Sequence, residues 1–405
     1  MNLSWNTKKI KELYDYSSGL SKSADQFGFG YPFLSYKDVF HNAYLPETLS
    51  TLVNSTEIEQ EKCSIKRGDV FLTRTSETTD ELGMSSVALV DYPYATYNGF
   101  TKRLRPTTNE IHPEFAAYFY RSPYFRAQII SMASLITRAS LNESNLDRLK
   151  ITYPNKETQI VIGNILQSYD LIINSNVKKI RLLEKMASEL YKEWFVRFRF
   201  PGHEAAKFVD GVPEGWEYHK LKDIADIVMG HSPESSYYNS DGEGLPFHQG
   251  VTNYGRRYVS NVEYCSVGKR YALPNSILFS VRAPVGRINL TREKVIIGRG
   301  LSALNHKLGK QSYLFYLLKS HFSVEDMIGN GSVFSSVTKS ELEKQKLLIP
   351  PSNLIEMFSQ IVEPMDDMIN CLDMQVEMLR KTRDLLLPRL MSGKLSVEPL
   401  LTETA

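Results

Sequence analysis

Arginine can bridge the two acceptors of guanine, and asparagine or glutamine can pair with adenine, so the placement of these side chains shows where a chain could read base edges. In this 405-residue sequence they gather in one window. From Arg256 to Lys310 there are eleven Lys or Arg against two acidic residues, Glu263 and Glu293, a net +9 in a chain that totals +2. Tyr254, Tyr258, Tyr264, Tyr271 and Phe279 are interleaved with them. Such clustering is the electrostatic footprint of a surface that faces phosphates. Gln249, Asn253, Arg256, Arg282, Arg287 and Arg299 are the candidate readers, and Arg257 belongs to the same block. A weaker set lies upstream: Arg74 in "LTRTSET", and Lys102, Arg103 and Arg105 in "TKRLRP". Residues 1–155 balance seventeen basic against seventeen acidic side chains. An ordinary charged surface is the competing reading in both places.

No catalytic constellation accompanies them. There is no GxxxxGK[ST] phosphate loop, no HExxH, no GxSxG and no CxxC. The glycines of "GFG" (28–30) and "GEG" (242–244) read as turns, and "YPYA" (92–95) only grazes a methyltransferase tetrapeptide. His248 in "PFHQG" reads as a loop hydrogen-bonder. Three distant cysteines, Cys63, Cys265 and Cys371, make neither a disulfide framework nor a metal pair, and a reducing cytoplasm is the expected compartment. The first residues lack the apolar core of a signal peptide, and no run approaches a membrane span.

The elements that must position the basic residues are set by a repeat. A shift of 196 residues lays Pro154 on Pro350, Asp170 on Asp366, Asn174 on Asn370, Leu183 on Leu379 and Leu190 on Leu386. Each copy begins with an apolar strand ending at proline, which disfavours helix at the preceding residue. A helical period follows. Leu166, Tyr169, Ile173, Asn176, Ile180, Leu183, Ala187, Leu190 and Trp194 are spaced by threes and fours; so are Val362, Met365, Ile369, Leu372, Val376, Leu379, Arg383, Leu386 and Leu390. About four heptads each predict a helical pair about 60 Å long, with Asn176 and Arg383 as polar intrusions that could set its direction. Two amphipathic helices packed on separate cores are the alternative.

Upstream of each helix lies a segment of mixed character. "DVFLT", "SVALV", "SILFSV" and "KVIIG" read as strands; "HPEFAAYFYRSPYFRAQIISMA" and "SYLFYLLKSHFSVEDMI" read as helices. The expected architecture is α+β, domain, long helix, domain, long helix, with boundaries at 1–155, 156–202, 203–350 and 351–397. In "ELYKEWFVRFRFPG" (189–202), Leu190 and Trp194 are core positions and Pro201-Gly202 is the helix stop. Phe195, Phe198 and Phe200 are expected to anchor the helix end, and Arg197 and Arg199 to face a phosphate or an acidic partner.

These residues carry a resemblance. "ELYKEWFVRFRFPG" after a heptad helix resembles the central conserved region of specificity subunits of type I restriction-modification systems. "LLLPRLMSGKLSV" (385–397) is similar to their C-terminal signature, and "VPEGWEYHKLKDIADIVMGHSP" with "SVRAPVG…IIGRGLSAL" resembles their second recognition domain. The resemblance implies two target-recognition domains separated by two long antiparallel coiled-coil helices in a pseudo-twofold repeat. Each domain would read half of a bipartite DNA site, and the helices would set the spacer. Leu183, Leu190, Trp194, Phe195, Leu379, Leu386 and Leu390 would form the helix pair and its docking face for two methyltransferase (modification) subunits, which restriction subunits join. It also implies no catalysis and no cofactor on this chain, with S-adenosylmethionine, ATP and Mg on the partners. A stand-alone site-specific nuclease or methyltransferase with an unrecognised active site, and a purely structural coiled-coil scaffold, remain the rival readings.

Overall fold

The computed structural model describes residues 5–76, 78, 81–133, 140–322, 327–328, 332–333 and 336–399. The chain divides into two compact units, Met1–Val177 with Met374–Ala405, and Lys178–Asp373. Each unit takes part of two long helices, Lys156–Tyr191 and Ser352–Met391.

Most of the heptad positions are buried. Leu166, Ile173, Asn176, Ile180, Ala187 and Trp194 are buried on the first helix, and Val362, Ile369, Leu372, Val376 and Leu390 on the second. The helices run antiparallel within each unit. In the first, Asp170 meets Arg383 and Asn176 Nδ2 donates to Gln375 Oε1 at 3.2 Å. In the second, the rings of Tyr191, Trp194 and Phe195 gather around Phe358. Both polar intrusions therefore find polar partners across the pair, as a buried polar group requires. Leu183, Leu190, Leu379 and Leu386 are half-buried rather than enclosed.

The first helix does not stop cleanly at Pro201. After Tyr191 it widens into a π turn over Lys192–Val196, with Arg197 N–H bonded to Lys192 O at 2.8 Å. Gly202 (φ +86°) then turns the chain away. Trp194, Phe195 and Phe200 are buried with Trp216, Tyr313 and Phe358, and Phe198 packs edge-on to Trp216. The expected aromatic anchor is thus present, against both the second domain and the second helix. Arg197 and Arg199 pair with Glu193 of their own segment.

The recognition segments are one topology twice. In the first, four strands are ordered Tyr14–Ser18, Thr101–Pro106, Val70–Thr73, Ser85–Val87. In the second the order is Ala225–Met229, Leu301–His306, Ile277–Ser280, Ile288–Leu290. Both are antiparallel throughout. Beside the first lies a three-stranded sheet and beside the second a five-stranded one, each with a parallel pair, Phe33↔Thr96 and Phe247↔Ile296. A two-strand ladder leads into each long helix: Asn6–Lys9 with Lys150–Tyr153, and Glu217–Lys220 with Lys346–Ile349. The α+β class follows directly. The expected helix from Ser312 is shorter than its apolar pattern, running Gln311–His321. Residues 323–326 lie outside the described residues, and Met327–Ile328 pairs as a strand with Ser332–Val333.

Candidate nucleic-acid interface

The second unit presents its arginines on loops that backbone packing holds rigid. Arg299 sits between the strands Val295–Ile297 and Leu301–His306. Gly298 N–H bonds to His248 O at 2.9 Å and Gly300 N–H to Gln249 O at 3.1 Å; His231 N–H reaches Ile297 O at 2.9 Å. A Cβ on Gly230 would lie 2.1 Å from Gly298 O, so only glycine permits this approach. Ser232 Oγ accepts from Arg299 N–H at 3.1 Å and donates to Gln249 Oε1 at 2.8 Å. The loop is pinned by its backbone while the Arg299 and Gln249 side chains are exposed. Arg282 is exposed just past the strand Ile277–Ser280, where it bridges Ser336. Arg287 is exposed, with its N–H bonded to Ser280 Oγ at 2.8 Å. It lines a cleft of about 660 Å³ with Tyr254 and Asn289. Asn253 is half-buried in a short 3-10 turn, Val251–Asn253.

Two of the expected readers in this window have partners within the unit, and one of them is buried. Arg257 is 5% exposed, lies 2.7 Å from Asp366 and donates to the Tyr316 hydroxyl at 3.2 Å. Burial alone would lower its pKa, but the neighbouring Asp366 carboxylate and the Tyr316 hydroxyl raise it above the ordinary value. Its guanidinium is held inside the fold by Asp366 rather than presented at the surface. Arg256 is engaged by Glu184 of the first long helix.

The upstream basic set is corrected more sharply. "TKRLRP" is an interior strand, with neighbours on both sides. Lys102 is 7% exposed and pairs with Glu143 at 3.2 Å. Arg103 is 8% exposed, donates to Ser64 O at 2.7 Å and lies over the Tyr97 ring. Arg105 holds Asp69, which is itself buried, through Nε at 2.8 Å and Nη2 at 2.5 Å. Arg74 is half-buried, its backbone tied to Phe100 O and Leu141 N–H. The structure therefore removes Lys102, Arg103 and Arg105 from the DNA-facing candidates and turns Arg74 inward.

The first unit also exposes aromatics: Phe29 at 51%, Tyr94 at 67% and Phe100 at 61%, with Tyr31 6.0 Å from Tyr94 ring to ring. Phe100 occupies the loop before strand Thr101–Pro106, the place that Gly300 takes in the second unit. The sequence signal was "YNGF", a turn followed by an aromatic with no apolar partner at period two. Lys269 and Arg270 are further exposed cations of the second unit, within the same basic window.

Of the helix-pair candidates, Trp194, Phe195 and Leu390 are buried in the cores, while Leu190 and Leu386 pack at their edges. Leu182, Met186, Met374, Met378 and Leu385 are exposed on the same helices. His248 is buried and its Nε2 lies 3.0 Å from Asn261 Oδ1; it is a hydrogen-bonder as expected, but at the end of the strand Leu245–His248 rather than in a loop. Burial lowers its pKa. Among the described residues no group of His, Cys, Asp and Glu could hold a metal, and no helix is long and apolar enough to cross a membrane.

Comparison with known proteins agrees with this duplicated geometry. The family model described as the type I restriction modification DNA specificity domain matches residues 2–185 and again 213–378. The sequence named the MjaX specificity subunit of Methanocaldococcus jannaschii is 29% identical over 97% of this chain and 94% of its own length. The type I restriction enzyme HindI specificity subunit of Haemophilus influenzae is 23% identical over 96% and 99%. The solved S subunit of a type I restriction-modification system from M. genitalium superposes with a TM-score of 0.65, at 16% identity and 96% coverage of both chains. With its recognition fold present twice and the family's domain matched in each copy, the chain belongs to the type I restriction-modification specificity subunits, the non-catalytic, DNA-recognising members of those systems.

Proposed function

We propose that each unit reads one half of a bipartite, asymmetric DNA site and that the two long helices set the spacer between the halves. The observation that supports this is the repetition of one sheet topology, each copy leading through an equivalent ladder into its own long helix. Two equivalent readers on one polypeptide suit a site in two parts, and different side chains on them suit asymmetry. In the second unit, Arg282, Arg287, Arg299 and Gln249 are the groups we assign to DNA, with phosphate contacts fixing register and base contacts fixing identity. In the first, Phe29, Tyr94 and Phe100 take the corresponding surface. The exposed apolar residues of the helices are assigned to two modification subunits, which restriction subunits join. In this reading those partners bring S-adenosylmethionine, ATP and Mg, with methyl transfer to a flipped adenine. The cytoplasm is the matching compartment.

Mapping methylated adenines in the host genome tests the reading directly. The expected result is a split, non-palindromic motif whose spacer lengthens when a heptad is inserted into both long helices. A palindromic, unsplit motif would overturn it. Turnover by the purified chain alone, given DNA, metal and S-adenosylmethionine, would favour a self-sufficient enzyme instead.

A further inference from the structure

The ladders allow the two units to be aligned residue by residue. Val70↔Leu104 corresponds to Ile277↔Leu304, and Tyr44↔Val87 to Tyr258↔Leu290. Ala43 then corresponds to Arg257, because their carbonyls accept from the equivalent N–H groups of Val87 (3.1 Å) and Leu290 (2.8 Å). The 196-residue helix repeat places Asp170 on Asp366 and Arg383 on Ala187.

At these positions each unit brings together the same trio, buried or half-buried. In the first, Tyr118 Oη donates to Asp170 Oδ2 at 2.7 Å and Arg383 Nη1 to Asp170 Oδ1 at 2.5 Å. In the second, Tyr316 Oη donates to Asp366 Oδ1 at 3.0 Å, and Arg257 Nη2 lies 2.7 Å from the same oxygen. Carboxylate and tyrosine occupy matching places, but the guanidinium arrives from opposite sides. One unit takes it from the second long helix, the other from the recognition domain. Where each arginine is not used, alanine stands. Ala187 is fully buried, and Ala43 lines a cavity of about 440 Å³ walled by Tyr44, Tyr118, Asp170 and Arg383.

We propose that Asp170 and Asp366 are positioning residues: each fixes a recognition domain on its long helix through a tyrosine–carboxylate–arginine lock, which needs one guanidinium whichever element delivers it. A carboxylate packed against the recognition domain needs a compensating cation. In the first unit that cation, Arg383, is shared with Asp384 at 2.8 Å, and Arg121 and Arg380 line the same cavity. The lock rests on the proposed reading of DNA only for its functional consequence.

The full chain carrying Arg383→Ala, Ala43→Arg, or both tests the idea by thermal unfolding. Arg383→Ala should lower the Tm of the first unit by about 5–10 °C. Adding Ala43→Arg, whose side chain has the cavity to enter, should recover at least half of that loss. A double variant no more stable than Arg383→Ala, with Ala43→Arg alone folding normally, overturns the relocated-cation lock. Should Ala43→Arg alone misfold, the cycle of Asp170→Asn with Arg383→Ala decides: the combined loss should be clearly smaller than the two single losses added, and strict additivity overturns the lock. For positioning, the probe is a duplex bearing the mapped first half-site with the other half scrambled. At a temperature where both proteins are folded, Arg383→Ala should bind it about tenfold more weakly and the double variant should regain it. Unchanged affinity would make the trio merely structural. Failure of the unmodified chain to prefer that duplex would instead sink the recognition reading, and the unfolding arms would still judge the lock.

Discussion

Arg74 and Arg282 look like equivalents, each an arginine directly after an apolar strand, in "FLTRTS" and "LFSVRAP". The ladders disagree by one residue. Thr73↔Thr101 matches Ser280↔Leu301, so Arg74 aligns with Val281 and Thr75 with Arg282. Their backbones agree: Arg74 N–H meets Phe100 O where Val281 N–H meets Gly300 O. Side chains alternate faces along extended chain, so one residue decides between interior and surface. Arg74 is half-buried with Nε unpartnered, and Arg282 is exposed. At these matching loops the first unit holds Arg74 inward and exposes Phe100, while the second exposes Arg282 and Arg299. The same scaffold carries two different surfaces, as the proposed reading of two different half-sites would require.

The largest effect that would break this comparison is a charge in the shared helical seam. Ile173→Asp and Ile369→Asp, both buried, should each cost several kcal/mol and abolish cooperative folding of their own unit, read by circular dichroism and urea melts. If both variants melt like the unmodified chain, the seam does not support the units. Next comes a contrast between arginines. Arg103→Ala should destabilise the first unit by about 2–3 kcal/mol, since Ser64 O and the space beneath Tyr97 lose their partner. Arg299→Ala should leave Tm within about 1 °C and instead weaken DNA binding by about 1–3 kcal/mol. A melting loss in Arg299→Ala would move that side chain from interface to core. In the same titration Arg282→Ala should lower the slope of log affinity against log salt by about one if it meets a phosphate, and an unchanged slope would assign it to a base edge or to nothing.

The smallest effect is a pH asymmetry. Burial lowers the pKa of His248, His306 and His321 in the second unit, and of His112 in the first. A folded pKa below the unfolded one means that protons favour the unfolded chain. The neutral side chains cost nothing above about pH 6.5, and stability falls as pH drops below it towards the depressed values. Hydrogen exchange at about pH 5.5 should therefore loosen the second unit more than the first, relative to about pH 7.5. Equal loosening would show that His112 alone matches the other three.

The helical register was legible because a helix satisfies its own backbone and needs only a local period; Ile173, Ile180, Ile369 and Val376 fell where their spacing put them. The anchor Phe195 was legible for the same reason, being a heptad neighbour of Trp194. "TKRLRP" was not. Its reading as a basic surface assumed that polar side chains face water, and only the pairing of Thr101–Pro106 with strands on both sides shows that they do not. Nor could the sequence reveal that Arg257 belongs to Asp366, more than a hundred residues away.

By itself, then, the sequence determined the duplicated α+β plan, the two heptad helices with their shared register, and the family to which they point, because each is written in short-range periodicity or in long contiguous motifs. Which cations are free to meet DNA was decided only in three dimensions. Strand register, set by pairing between distant segments, chooses the face of each arginine, and a carboxylate withdrawn from water, such as half-buried Asp366 or buried Asp69, claims whichever guanidinium the fold brings within reach.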